Sequence, residues 1–296
     1  MFPRAIDNPP GVYLEQLGGV FARFGANTQG SGNISYGVDA DGQRLFVKTA
    51  GDPTDTAPYL DFDARVRLLR NAARLAEMIH HPLLPTFHGL IESPVGPLLA
   101  YEWRDGDHLG TPRDRRNDPT TAFQRFRSLP AEEILVALDG LFDLHERLDA
   151  AGWIQGDFYD GGLLYHFDRR QLTVIDLDCY RPGPFRNDMG RMFGSDRFMA
   201  PEEFSLGAPI DGRTTAYVMA RTVLVFLADG TLDRRAFRAP DALYAVVQEA
   251  VTTRFPSYGA FHRRWLAARG DAAQSAEDPD PATAPPVPSS ASVDDH

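Results

Sequence analysis

The spacing of apolar residues changes part-way along this chain, and the change constrains the possible folds more than any other feature. Up to about residue 103, apolar residues form short runs separated by turn-forming residues, which is typical of strands. From Glu132 onward they recur every three or four positions over long stretches, which predicts helices. A strand-rich first part and a helix-rich second part together predict an α+β protein with two lobes.

The same patterns predict the individual elements. The runs GNISYGV and QRLFVKT are joined by the turn-rich tetrapeptide DADG, which favours a hairpin. Strands are predicted over 32–38, 43–49, 84–93, 96–103, 163–167 and 171–178, and helices over 62–80, 131–152 and 214–230. The Arg-rich connector 110–130 is interpreted as a solvated loop, with a substrate-docking surface as the alternative. The Pro-, Ala- and Asp-rich segment 270–296 predicts a disordered tail.

Composition excludes several function classes. A net charge of -11 argues against general binding to nucleic acid or to anionic membranes, both of which need a basic face. No apolar run approaches the roughly 20 residues of a membrane span, and the N-terminal segment lacks the apolar core of a signal peptide. The single cysteine, Cys179, cannot form an internal disulfide, so a cytoplasmic location is expected.

One lysine stands out among the basic residues. Lys48 is the only lysine, and arginine supplies the rest of the 30 basic residues. It ends an apolar strand just after a glycine-rich hairpin that contains Gly30 and Gly32. Glycines allow a backbone to approach a phosphate closely, and a lysine is a compact point charge rather than a planar fork. The combination predicts a phosphate-binding site.

Two aspartates flank a short predicted hairpin further along the chain. Asp157 lies in a loop after a helix, and Asp176 ends the apolar run LTVI. Carboxylates at the two ends of a hairpin can face one cleft. One of them can accept a proton from a hydroxyl while the other holds a magnesium ion.

The segment GSDRFMAPEE resembles the G-T-x-x-Y-M-A-P-E segment of the eukaryotic-type protein kinases. The resemblance covers roughly residues 15 to 268, and its other parts are the glycine-rich hairpin, LFVK with Lys48, HHPLLP, QGD with Asp157 and DLD with Asp176. It implies a bilobal kinase-like fold with a β-rich N-lobe over 1–102 and a helical C-lobe over 103–269. It also implies ATP and Mg²⁺ as cofactors.

The resemblance assigns further residues. The segment LLAYEWRDGDHL is similar to the kinase hinge, so the backbone of Glu102 and Arg104 would meet adenine, with Tyr101 at the gatekeeper position. TTRFPSYGAF is similar to a late kinase segment, which implies that Arg254 is the buried partner of Glu202.

Several kinase residues are missing here. The helix glutamate that would pair with Lys48 falls on Ala72, and the arginine before the catalytic aspartate is Gly156, as in the H-G-D of aminoglycoside phosphotransferases. Tyr159 replaces a catalytic-loop lysine and Gly162 replaces a metal-binding asparagine, while Thr215 stands where a later helix carries an aspartate.

The loss of the asparagine leaves the metal site short of a ligand. We expect Asp176 and Asp178 to share the magnesium. Asp160 is expected in a solvated loop, where it is at most a water-mediated ligand.

Three functions remain open from sequence. The first is a Ser/Thr-type protein kinase, which the A-P-E segment favours. The second is a small-molecule phosphotransferase, which QGD and the Arg-rich connector favour. The third is a nucleotide-binding pseudokinase, which Ala72, Tyr159 and Gly162 favour. The expected partner is therefore a protein or small-molecule hydroxyl acceptor.

Overall fold

The computed structural model describes residues 2–25 and 31–277, and the chain is an α+β protein. Its helices are α1 (Pro10–Leu17), α2 (Phe62–Met78), α3 (Ala122–Arg127), α4 (Ala131–Ala150), α5 (Gly212–Leu227), α6 (Asp241–Thr252) and α7 (Tyr258–Glu277). Its strands are β1 (Gly19–Phe24), β2 (Ile34–Ala40), β3 (Gln43–Thr49), β4 (Phe87–Ile91), β5 (Leu98–Glu102), β6 (Asp107–His108), β7 (Trp153–Ile154), β8 (Leu163–His166), β9 (Gln171–Val174), β10 (Arg181–Pro182), β11 (Phe185–Arg186) and β12 (Pro209–Ile210).

The first five strands form one antiparallel sheet with the order β1-β2-β3-β5-β4. The β2–β3 hairpin turns at Asp41 and Gly42, which both have positive φ, and the Gly42 amide donates to the Asp39 carboxylate. Glycine and aspartate are the residues that tolerate this backbone conformation in tight hairpins. The hairpin and the other strands predicted within this sheet are confirmed.

Alternation along β3 directs its side chains to two different surroundings. Leu45 and Val47 are buried with Leu14 of α1 on one side of the sheet. On the other side, Leu99 packs with the buried face of α2. Because successive side chains of a strand point to opposite faces, Lys48 lies on the α2 side, directly paired with Leu99.

The helical part has a core of its own. Helices α4 and α5 contribute most of it, and they are joined there by Phe261 and Trp265 of α7. The predicted α4 ends just before Gly152, whose φ of 77° suits the end of a helix. A three-stranded sheet, β6-β8-β9, lies against this core. The predictions for α4, α5 and the β8–β9 pair are confirmed.

Two boundary predictions were wrong. The connector 110–130 is not a plain solvated loop, because it ends in α3, whose Phe123 and Phe126 are buried in the core of the helical part. Helix α7 also continues to Glu277, beyond the predicted end of ordered structure at residue 269. The tail prediction otherwise falls on residues 278–296, which lie outside the described residues. Within the described ranges, no helix has the length and apolar character needed to cross a bilayer.

Candidate active site

Lys48 is almost fully buried and faces two carboxylates from a distant part of the chain. Its Nζ lies 2.5 Å from Oδ2 of Asp178 and 3.5 Å from Oδ1 of Asp176. Burial alone would favour the neutral amine, but the two carboxylates outweigh it and raise the pKa of Lys48 above its usual value. The lysine is therefore charged at neutral pH.

Helix α2 contacts the loop that carries Asp176 and Asp178, but it contributes no carboxylate to Lys48. Ala72, at the position where a glutamate was missing, is buried against the sheet, and Glu77 is exposed. The neighbouring Asn71 donates from Nδ2 to the carbonyl of Asp178 at 3.3 Å and to that of Tyr180 at 2.6 Å. The partner of Lys48 thus comes from the loop after β9. Helix α2 holds that loop because the Asn71 side chain donates to backbone carbonyls of the loop.

Asp178 was predicted to bind metal with Asp176, and that role stays a prediction. The Asp178 carboxylate is 13% exposed and pairs with Lys48, whereas the Asp176 side chain is 54% exposed. Burial raises the pKa of Asp178 to about 6, and Lys48 opposes this shift. Asp176 is the more accessible of the two carboxylates.

The site offers few side-chain ligands for magnesium. No group of three or more potential metal-ligating side chains is found in the described residues. Magnesium commonly takes only one or two carboxylates and completes its shell with phosphate oxygens and water. The exposed carboxylate of Asp176, close to Asp157, fits that requirement, and Gly162 beside it adds no donor.

Asp157 lies in the loop after β7 with a φ of 71°, in the left-handed region. Its carboxylate makes no hydrogen bond or ion pair with any other described residue. Burial, followed by the negative charges of Asp176, Glu203 and Asp178, raises the pKa of Asp157 to about 8. Once ionised, at or above that pH, the carboxylate can accept a proton from a hydroxyl.

Close packing accounts for one of the departures from the kinase pattern, and the surroundings of a second can be described. A Cβ at Gly156 would lie 2.5 Å from the carbonyl oxygen of Cys179, so no arginine fits there. Tyr159, at the lysine position, packs over Gly161, and burial followed by the charge of Asp157 raises the pKa of Tyr159 to about 12. The phenol is neutral at pH 7, and unlike a lysine it has no positively charged form.

Asp160 does not lie in a solvated loop, and that prediction was wrong. The residue is 1% exposed, and its Oδ2 lies 2.5 Å from Nη2 of Arg197. Burial raises the pKa of Asp160, and Arg197 is the main opposing influence. The carboxylate therefore joins the loop of Asp157 to the segment that carries Arg197.

The predicted Glu202–Arg254 pair is present. Arg254 donates to Glu202 from both terminal nitrogens, at 2.5 Å to Oε1 and 3.2 Å to Oε2. The Thr214 hydroxyl of α5 donates to the same carboxylate at 2.7 Å. The two charged side chains are 17% and 27% exposed, so the pair is partly buried rather than fully buried as expected.

Sequence reasoning missed the neighbouring Glu203, which is 1% exposed. It accepts from the Ala200 amide at 2.6 Å and from Nε2 of Gln155 at 3.1 Å, and Gln155 lies two residues before Asp157. Burial raises the pKa of Glu203 to about 7. The sequence alone does not indicate which of these two consecutive glutamates faces the interior.

The glycine-rich hairpin is described only in part. Gly30 lies outside the described residues. Gly32 has a φ of 91°, and a Cβ there would lie 2.4 Å from Pro58, so the position requires glycine. Fully buried Arg65 of α2, which sequence reasoning also missed, donates to the Gly32 carbonyl at 2.8 Å and to that of Asp52 at 3.1 Å.

The predicted hinge residues Glu102 and Arg104 lie at the end of β5 and just after it. The Glu102 amide donates to the Thr86 carbonyl at 2.8 Å, and the Trp103 amide donates to the Arg44 carbonyl at 3.0 Å. No hydrogen bond donated by the Arg104 amide is found within the described part of the chain. The adenine contact itself stays a prediction.

An unpredicted aromatic cluster lies beside the hinge residues. Trp103 is within 6.3 Å, between ring centroids, of Phe21, Phe24 and Phe46. Phe46 is two residues before Lys48 and therefore lies on the same face of β3.

No protein-family model matches the chain, and no curated protein matches its sequence.

Proposed function

We propose that this chain is an ATP-dependent phosphotransferase with a bilobal kinase-like fold, and that it acts as a Ser/Thr-type protein kinase. The observation that supports this most is the meeting of Lys48, Asp157, Asp176 and Asp178 at one site. Asp178 is 130 residues from Lys48 in the chain, so local sequence does not impose this arrangement.

In the proposed reaction, each charged residue has a separate task. Lys48 binds phosphate oxygens of ATP as a point charge, held in place by Asp178. Asp157 orients the acceptor hydroxyl and takes its proton as the acceptor oxygen bonds to the γ-phosphorus of ATP, while the bond from that phosphorus to the β,γ-bridging oxygen breaks and ADP leaves. Asp176 is the residue that would hold magnesium, which neutralises the charge of the transferred phosphoryl group when bound.

A nucleotide-binding pseudokinase is the second candidate. Tyr159 is neutral beside Asp157, and Gly162 provides no metal ligand. Electrostatic stabilisation of the transferred group is the main catalytic contribution in phosphoryl transfer, so these absences favour weak or absent transfer.

Incubation with γ-labelled ATP tests the proposal, in three arms: protein alone, protein with a generic Ser/Thr-containing acceptor, and protein with a panel of hydroxylated metabolites. We expect label on the protein acceptor with wild type and none with Asp157→Asn. Label on a metabolite instead would favour the small-molecule phosphotransferase that sequence also left open. Saturable ATP binding with no transfer in any arm would favour the pseudokinase.

A further inference from the structure

A group of arginines lies next to the loop that carries Asp157. We call Arg113, Arg116 and Arg197 the basic cluster. Arg197 pairs with buried Asp160, three residues after Asp157. Gly194, three residues before Arg197, lies so close to Asp157 that a Cβ there would be 3.6 Å from Oδ1. Arg197 is therefore adjacent to the proposed acceptor site.

Arg116 lacks the partner that a half-buried guanidinium normally has. Its side chain makes no ion pair or hydrogen bond with any other described residue, and its Nε is buried without a partner. Burial lowers the pKa of Arg116, and the positive charges of Arg197 and Arg113 lower it further against the single carboxylate of Asp160. Two other positive charges and one carboxylate thus act on Arg116.

Neighbouring contacts hold this arrangement in place. The Arg197 guanidinium lies over the Phe123 ring of α3 at 5.2 Å, and the Arg197 carbonyl accepts from Nε of Arg221 at 2.9 Å. The Gln124 side chain of α3 donates to the Arg116 carbonyl. Buried Phe123 and Phe126 anchor the connector itself. The local excess of positive charge is fixed by packing, although the chain as a whole carries -11.

We propose that the basic cluster binds an acidic group of the acceptor, so that the preferred substrate carries carboxylate or phosphate groups close to its reacting hydroxyl. The substrate that fits best is a serine- or threonine-containing segment with acidic neighbours. An anion at this position gives Arg116 its missing partner and balances the excess positive charge. This inference rests on the proposed function for the hydroxyl, but the binding of the anion does not require transfer.

Peptide binding tests the inference independently of catalysis. Fluorescein-labelled peptides of equal length, each with one serine flanked by Glu, Gln or Lys, would be titrated with the full-length protein and followed by anisotropy. We expect the Glu peptide to bind at least about tenfold more tightly than the Lys peptide. Arg116→Glu should remove or reverse that preference, and Arg235→Glu, an exposed arginine elsewhere on the chain, should leave it unchanged.

Each outcome decides a separate point. Equal binding of the Glu and Lys peptides, or equal effects of Arg116→Glu and Arg235→Glu, would overturn the inference. If Arg116→Glu does not fold, the exposed Arg113→Glu should weaken Glu-peptide binding at least about threefold, and no weakening would count against the cluster. If sugar phosphates displace the Glu peptide at concentrations below that of the peptide, the acceptor is still anionic, but it is a small molecule rather than a protein segment. Arg116-dependent binding without transfer from ATP would contradict only the proposed function.

Discussion

The surroundings of Lys48 and of Asp157 differ in how many partners the protein provides. Lys48 has two carboxylates within 3.5 Å, and the loop that carries them is held by Asn71. Asp157 has no hydrogen-bond partner among the described residues, and three negative charges act on it. The phosphate-binding side of the proposed site is therefore organised by the protein alone. The acceptor side is electrostatically unbalanced until a ligand or a proton arrives.

The largest expected effect follows from the unbalanced side. Asp157→Asn should reduce phosphotransfer by at least about 100-fold, because an amide cannot accept the hydroxyl proton. It should leave the melting temperature unchanged or raise it, because it removes a half-buried carboxyl group that has no hydrogen-bond partner in the described residues and whose ionised form is unfavourable there. Transfer assays and thermal unfolding of the same preparation check both parts. Retained transfer would remove Asp157 from the reaction.

Lys48→Met should have the next largest effect. It should weaken ATP binding at least about tenfold, and it should destabilise the protein by about 3 kcal/mol at pH 8, since Asp178 stays buried without its partner. The double variant Lys48→Met/Asp178→Asn should regain most of the stability but none of the ATP affinity. If the single variant unfolds like wild type, the Lys48–Asp178 pair does not stabilise the loop.

Lys48→Arg separates charge from shape. Arginine keeps the positive charge, but its planar fork fits poorly where a point charge lies between two carboxylates. We expect reduced ATP-dependent transfer, measured with the same assay. Wild-type transfer would show that charge alone is required and that the solitary lysine has no special role.

The next largest effect is a pH dependence of the free energy of unfolding that arises from Glu203. The pKa of Glu203 is about 7 in the fold against an ordinary 4.5, so the folded state holds its proton more tightly than the unfolded state does. That contribution to stability is present at low pH and is lost as the pH rises through 7. Between pH 5 and pH 8, wild type should lose about 2–3 kcal/mol more than Glu203→Gln, which cannot ionise. Urea unfolding at both pH values measures the difference, and parallel pH profiles would contradict it.

Local patterns allowed about half of the helices and strands to be predicted, but not the contacts between distant ones. The β2–β3 hairpin and α4 follow from residues a few positions apart, so periodicity and turn chemistry indicated them. The pairing of Lys48 with Asp178 depends on how the loop after β9 docks against α2. No spacing rule contains that information.

Charge burial was equally hidden from the sequence. Asp160 looks like a turn residue, and its burial depends on Arg197, which is 37 positions away. Arg65 looks like a solvated helix residue, and its burial depends on carbonyls of the preceding loops. In both cases the partner that makes burial favourable is supplied by tertiary structure.

The smallest expected effect concerns a ligand that the site lacks. Gly162 has ordinary space for a side chain, since a Cβ there would lie 3.7 Å from Cβ and from the carbonyl oxygen of Asp176, and its φ is not in the left-handed region. Gly162→Asn should place an amide oxygen beside Asp176, where it can act as an additional magnesium ligand.

We expect Gly162→Asn to lower the magnesium concentration that half-saturates ATP binding by roughly three- to tenfold, because a protein oxygen replaces a water molecule in the coordination shell. Gly162→Ala is the matched control, since it fills the same space without providing a donor, and its magnesium dependence should equal that of wild type. If the asparagine and alanine variants respond alike, the magnesium does not lie between Asp176 and residue 162. The Asp176 carboxylate would then have to direct its ligand toward Asp157 instead.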